Sequence, residues 1–154
     1  MALSRTARVR AVVAAGALAA GGVAIAVARP ASAALPLCNA TATAIAQNAT
    51  TDFGAVAIPI ATSGAPRVSC QTGSGSAGSW VRALQRSLQA CNAQAIAVDG
   101  IFGPATKQAF KNVQNRAGIT ADGIYGPNTA RAMKWLAVAD SGATSCRSYS
   151  TLGL

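Results

Sequence analysis

A thirteen-residue pattern occurs twice and constrains this chain more than any other feature. Val98-Asp99-Gly100-Ile101-Phe102-Gly103-Pro104-Ala105-Thr106-Lys107-Gln108-Ala109-Phe110 returns 23 residues later as Ala121-Asp122-Gly123-Ile124-Tyr125-Gly126-Pro127-Asn128-Thr129-Ala130-Arg131-Ala132-Met133. Seven of the thirteen positions are identical, and Phe102 and Tyr125 match in shape. Repetition at a fixed offset is the mark of a duplicated structural unit. Each copy reads as a tight turn, a short apolar loop and a helix. In Asp-Gly the carboxylate can accept from a nearby backbone N–H, and glycine tolerates φ > 0. Gly-Pro opens the helix, because proline at the first helical position gives up no hydrogen bond. Ile101 and Ile124 are expected to fold inward, each stabilising by about 1.5–3 kcal/mol if fully buried.

Apolar spacing around the repeats predicts three helices. The first starts after Ser79 as N-cap, with Val81, Leu84, Leu88 and Cys91 as its inward stripe. Gln85 lies beside that stripe and is expected to hydrogen-bond a loop backbone. The second runs from about 104 to 116, with Phe110, Val113 and Ala117 inward and Gly118 as its terminator. The third runs from about 127 to 138, with Met133, Leu136 and Ala137 inward and Trp135 half-exposed.

Both Asp-Gly-Ile-aromatic-Gly-Pro turns occur in order with Val81-Arg82-Ala83-Leu84-Gln85-Arg86-Ser87-Leu88, Gln114 and Gly118-Ile119. Over about residues 79–137 this order resembles the bacterial peptidoglycan-binding domain of the three-helix type. The resemblance implies a non-catalytic module that holds secreted proteins on the cell wall. The expected fold is therefore mainly α: a small three-helix bundle built around the two turn-helix repeats. A disulfide-stapled N-terminal segment with short strands would precede it.

Residues 1–33 read as a secretory signal peptide. Arg5, Arg8 and Arg10 precede an apolar Ala- and Gly-rich stretch, and Ala31-Ser32-Ala33 is a small-residue cleavage site. Cleavage would start the mature chain at Ala34, leave it without stable membrane association, and place it outside the cell or on its wall. Residues 34–78 then form an N-terminal extension and linker, 79–146 the binding domain and 147–154 a tail. Within the extension, Phe53 to Ile60 has strand-like composition, with Pro59 suited to an edge. Val68-Ser69-Cys70 reads as a second short strand, and Gln71 to Ser79 as a flexible connector.

Four cysteines in a short exported chain imply two disulfides. Three pairings are possible, and Cys38–Cys70 with Cys91–Cys146 is preferred. Zinc is disfavoured, because the chain has no histidine and no C-x-x-C spacing.

The inventory also argues against catalysis. The chain has no histidine and no glutamate, so a Ser-His-Asp or Cys-His arrangement lacks its base. Asp99 and Asp122 in matching turns are explained by structural bonds rather than as a glycosidase pair. No catalytic residue, metal or cofactor is expected. The full chain carries a net charge of +9, and the stretch after residue 33 keeps nine basic residues against four acidic ones, about +5. That suits an anionic partner; export argues against nucleic acid.

The expected ligand is peptidoglycan, through its glycan or its stem peptide. The candidate contacts are Asp99, Phe102, Gly103, Asp122, Tyr125, Gly126, Arg131 and Lys134. Phe102 and Tyr125 can either face a ligand or fill the core; core is preferred for Phe102, and a groove edge for Tyr125 because of its hydroxyl. Arg131 and Lys134 could meet a stem-peptide carboxylate from the third helix, or be plain solvated charge. The protein reads as a secreted, non-catalytic wall-binding module, or alternatively as the wall-targeting component of a hydrolase system whose catalytic part lies elsewhere.

Overall fold

The structure is a computed structural model that describes residues 34–45, 55–62 and 69–152. The signal-peptide expectation at 1–33 lies outside them. The described residues lie in one compact unit. Three helices are present, α1 (Ser79–Cys91), α2 (Pro104–Arg116) and α3 (Pro127–Ala132). So is a four-stranded antiparallel sheet of order β1-β2-β3-β4: β1 (Ala40–Ile45), β2 (Ala55–Ile60), β3 (Lys134–Val138) and β4 (Thr144–Ser148). The fold is α+β, which overturns the mainly-α bundle expected from the sequence.

The main departure is the third helix. It stops at Ala132, and Met133 turns to extended backbone with ψ 159°. Beyond it burial alternates: Trp135 and Ala137 are buried, while Lys134 and Val138 are exposed. The 3–4 spacing of Met133, Leu136 and Ala137 competes with this two-residue period, and over so short an apolar run the spacing cannot decide. Strand pairing decides it. Leu136 lies opposite Cys146 in the β3–β4 ladder, and Cys146 is bonded to Cys91 at the end of α1. Trp135, expected half-exposed, is fully buried and donates its indole N–H to the Ala130 carbonyl at 3.0 Å.

Strand β3 pairs with β2 only at Val138 and Ala137. Side chains of α1 and its C-cap satisfy the rest of that edge. The Leu136 N–H donates to Ser87 Oγ at 3.2 Å, and the Lys134 N–H to Asn92 Oδ1 at 3.0 Å. Asn92 Nδ2 donates to the Lys134 carbonyl at 2.7 Å. The early end of the β2–β3 ladder also explains Pro59. It sits in β2, an interior strand and not the edge expected, but beyond the residues that pair with β3, so its missing N–H breaks no bond on that side. Of the second expected strand, Ser69 and Cys70 lie in no strand, and Val68 lies outside the described residues.

The core joins sheet and helices. Val81, Leu84 and Leu88 of α1 pack with Phe110 and Val113 of α2, Val56 and Ile58 of β2, and Trp135 of β3. A run of aromatic contacts threads it: Phe102 stacks on Phe110 at 5.3 Å, Phe110 meets Tyr125 at 6.1 Å, and Tyr125 meets Trp135 edge-on at 6.1 Å. Ala117, expected inward, is exposed. Gly78 rather than Ser79 is the N-cap of α1. The disulfides are Cys38–Cys70 and Cys91–Cys146. Among the described residues no helix is long and apolar enough to cross a membrane.

Candidate functional site

The two repeats are built on the same clamp. In the first, Gln85 Nε2 donates to Asp99 Oδ1 (2.7 Å), to the Ile101 carbonyl (2.9 Å) and to Thr106 Oγ1 (3.1 Å). Its Oε1 accepts from the Gly100 N–H at 2.7 Å, and the Ile101 N–H returns to Asp99 Oδ1 at 2.8 Å. In the second, Gln114 Nε2 donates to Asp122 Oδ1 (2.8 Å), to the Ile124 carbonyl (3.0 Å) and to Thr129 Oγ1 (3.0 Å). Gln114 Oε1 accepts from the Gly123 N–H at 2.8 Å, and the Ile124 N–H returns to Asp122 Oδ1 at 2.8 Å.

Each glutamine is 1 % exposed, so its amide must be satisfied internally, and the turn does so. Gly100 and Gly123 take φ of +80° and +72°, which L side chains rarely adopt. At Gly123 an added Cβ would also lie 2.7 Å from the Lys107 side chain.

The carboxylates of Asp99 and Asp122 therefore belong to the turns. The Ile101 N–H, followed by the Gln85 amide, holds the Asp99 carboxyl below its ordinary range. Phe102 and Tyr125 are both buried, at 1 % and 0 %, so the groove-edge place expected for Tyr125 is not where its ring lies. Its hydroxyl has no hydrogen-bond partner, and burial, then the nearby Tyr149, raises its pKa. Gly103 and Gly126 are N-caps of α2 and α3, with carbonyls that accept from the Lys107 and Ala130 N–H groups. Arg131 lies over the Tyr149 ring at 5.7 Å, and Lys134 is in β3 rather than on a helix. The expected residues thus form two separate turns plus two outlying cations.

What the repeats do present is the residue expected inside. Ile101 and Ile124 are 55 % and 41 % exposed. The turn bonds both neighbouring backbone groups and leaves the side chain outward. The supposed flexible connector holds both loops: Thr72 and Tyr125 exchange backbone bonds of 3.0 and 2.9 Å, and the Phe102 N–H donates to the Ser76 carbonyl at 2.8 Å. Around Ile124 lie two open grooves of about 470 and 550 Å³. They share Gln71 and Ile124, and the exposed Leu35 and Leu37 each line one of them. Polar groups at Asn128, Thr120, Ser74 and Lys107 surround this apolar strip. Around Ile101 lies a separate cleft of about 730 Å³ between α1 and the sheet. Among the described residues no three His, Cys, Asp or Glu side chains group to hold a metal.

Sequence reasoning missed the grooves, because Leu35, Leu37 and Gln71 come from outside the repeats. It placed Gln85 as a loop ligand and named Gln114 only as part of the resemblance, without a matching bond to the second turn. The two glutamines are 29 residues apart, so a search at the 23-residue offset passes over them.

Paired turn-helix units, each locked by a buried glutamine and open at its rim, define a small duplicated binding domain. Residues 77–133 match the family described as "Putative peptidoglycan binding domain", and through that segment the chain belongs to the family. The matched segment ends where β3 is about to begin, so the whole sheet lies outside it. Among solved structures the chain is similar to the SleB N-terminal domain, at 34% identity over 38% of this chain and 81% of that one, with a TM-score of 0.37. It is also similar to a peptidoglycan-binding protein from Clostridioides difficile in complex with glutamine hydroxamate. That match has 24% identity over 58% of this chain and 54% of that one, with a TM-score of 0.42. No curated protein gives a significant match.

Proposed function

We propose that this is an exported, non-catalytic peptidoglycan-binding protein that holds its ligand along the strip around Ile124. The observation that carries the site is the run of exposed Leu35, Leu37 and Ile124 beside Gln71, Asn128 and Lys107. A glycan strand offers apolar ring faces and many hydroxyls, and an apolar strip bordered by amide, hydroxyl and ammonium groups answers both. The buried clamp supports the reading: it fixes the loop without using the outward face of the strip. Two disulfides in so short a chain favour an extracellular or wall location.

Of the residues named from the sequence, Asp122 and Gly126 border this strip. Asp99 and Gly103 hold their places in the first loop, and Phe102 and Tyr125 act by filling the core beneath. Arg131 and Lys134 lie outside the strip's lining. The test is sedimentation with insoluble, purified peptidoglycan. The protein is expected to sediment, to release no soluble fragments, and to lose most binding in Ile124→Ser with an unchanged melting temperature. Full binding by that variant would remove the site from the strip.

A further inference from the structure

We propose that the cleft between α1 and the sheet is a second binding site, which takes the terminal carboxylate of a short peptide with small side chains. It is independent of the Ile124 strip, since it lies over the first repeat and uses strands outside the family segment. At about 730 Å³ it is within the size range of small-ligand sites. Its surface is made largely of methyl groups: Ala55 and Ala57 on β2, Ala83 on α1 and Ala77 before it. Ile101 and Val138, 55 % and 43 % exposed, border it and can cover the body of a ligand.

The charge in this cleft is placed to one purpose. Arg82 and Arg86 stand four residues apart on α1, so they share a face and repel each other. Helix α1 contains no acidic residue to separate them. Arg82 spends one N–H on the Asp99 carbonyl, at 3.2 Å. A guanidinium has five donors in a planar fork, so most remain for a ligand. A carboxylate matches that fork bidentately and relieves the repulsion. Thr41 and Thr43 of β1 line the cleft as well and supply hydroxyls for peptide groups.

Asp99 sets the limit on charge. Its carboxylate is the one acidic group in the lining, and it is fixed there by the Gln85 clamp. Arg82 already faces the Asp99 charge, so a continuous polyanion lying along the cleft would meet that carboxylate, whereas a single terminal carboxylate can settle at Arg86. The apolar lining likewise suits methyl-bearing residues better than a phosphate chain.

The test is an NMR titration of the oxidised protein with Ala-Ala-Ala, as free acid and as C-terminal amide. The free acid is expected to bind at least tenfold more tightly and to shift amide signals of α1 and β2. Arg86→Gln should lose at least tenfold in affinity and Arg86→Lys less, since the lysine keeps charge without the fork. Arg86 is exposed on its helix, so both variants should melt as the parent does. Equal binding of acid and amide, or full binding by Arg86→Gln, would overturn the proposal. So would tighter binding of poly(glycerol phosphate) at the same signals, which would make this a phosphate site.

Discussion

The first and second repeats share an interior and differ at the surface. Inside, two glutamines make the same four bonds at nearly the same lengths, and a buried aromatic ring follows each turn. Outside, Ile101 borders a cleft with two arginines, whereas Ile124 borders an apolar strip with amides and hydroxyls. Duplication preserved what the turn needs to fold. What the loops present is decided by segments outside the repeats, the sheet beside the first and residues 35–37 and 71–76 beside the second. The clamp is thus the scaffold, and the neighbouring chain makes each site.

The largest expected effect tests the shared interior. Gln85→Ala and Gln114→Ala each leave a buried glycine N–H without its acceptor and remove the amide bond to an aspartate carboxylate, which together cost about 3–4 kcal/mol at the usual values for such groups. Urea denaturation of both variants checks this. A gap of more than about 1 kcal/mol between them would show that the two clamps are not energetically equivalent.

The aromatic positions should break the symmetry. The Tyr125 hydroxyl is buried without a partner, so Tyr125→Phe should be neutral or stabilising by about 1 kcal/mol, and Phe102→Tyr destabilising by about 2 kcal/mol, the cost of a buried unpaired hydroxyl. The same hydroxyl has a pH signature. Its pKa is raised by burial in the folded state, so its contribution is intact below the unfolded value of about 10. Above that it is lost as the unfolded chain ionises. Tyr125→Phe should therefore flatten the alkaline fall in melting temperature, and no change in that limb would place the hydroxyl in contact with solvent.

A smaller effect separates the surfaces. Ile101→Ser and Ile124→Ser should each alter stability by no more than about 0.5 kcal/mol, as expected of exposed positions. Wall sedimentation should drop several-fold for Ile124→Ser and hold for Ile101→Ser; equal losses would mean that one ligand spans both rims. The smallest effect is at acid pH. The Asp99 carboxyl is held below its ordinary 3.8, so its contribution is present above that pH and fades as pH falls through the folded value. Asp99→Asn should lose less melting temperature than the parent between about pH 4 and 2, measured by calorimetry.

The sequence made the two turns, α2 and the inward stripe of α1 legible, because each is local: Asp-Gly, Gly-Pro and a 3–4 apolar spacing act within a few residues. Apart from the cysteine pairing, it misplaced most of what depended on a distant partner. Lys134 to Val138 is a strand because β4 and β2 pair with it, and nothing within those five residues outweighs the helical reading. Ile101 and Ile124 were sent inward on hydropathy alone, although the turn commits the backbone on both sides and points them out. Gln71 to Ser79 looked like a free linker because glycine and serine carry no side-chain signal for the backbone ladder that they form. The candidate site suffered most, since its outer wall is drawn from residues far away in the chain.

The disulfides have a mechanical consequence for a chain with a peptidoglycan-binding domain. Cys38–Cys70 and Cys91–Cys146 close loops of 32 and 55 residues. When the chain ends are pulled apart, tension takes the covalent shortcut across each bond, and neither loop can pay out its length. At about 3.5 Å per extended residue, the larger loop withholds roughly 190 Å of slack. Between the two bonds the only stretch left in line with the load is Gln71 to Ala90, the lead-in strand contacts and α1. Under load the protein therefore has one short extensible link between the two bonds; both repeats ride inside a closed covalent ring, while Leu35, Leu37 and Gln71 of the strip stay in line with the load.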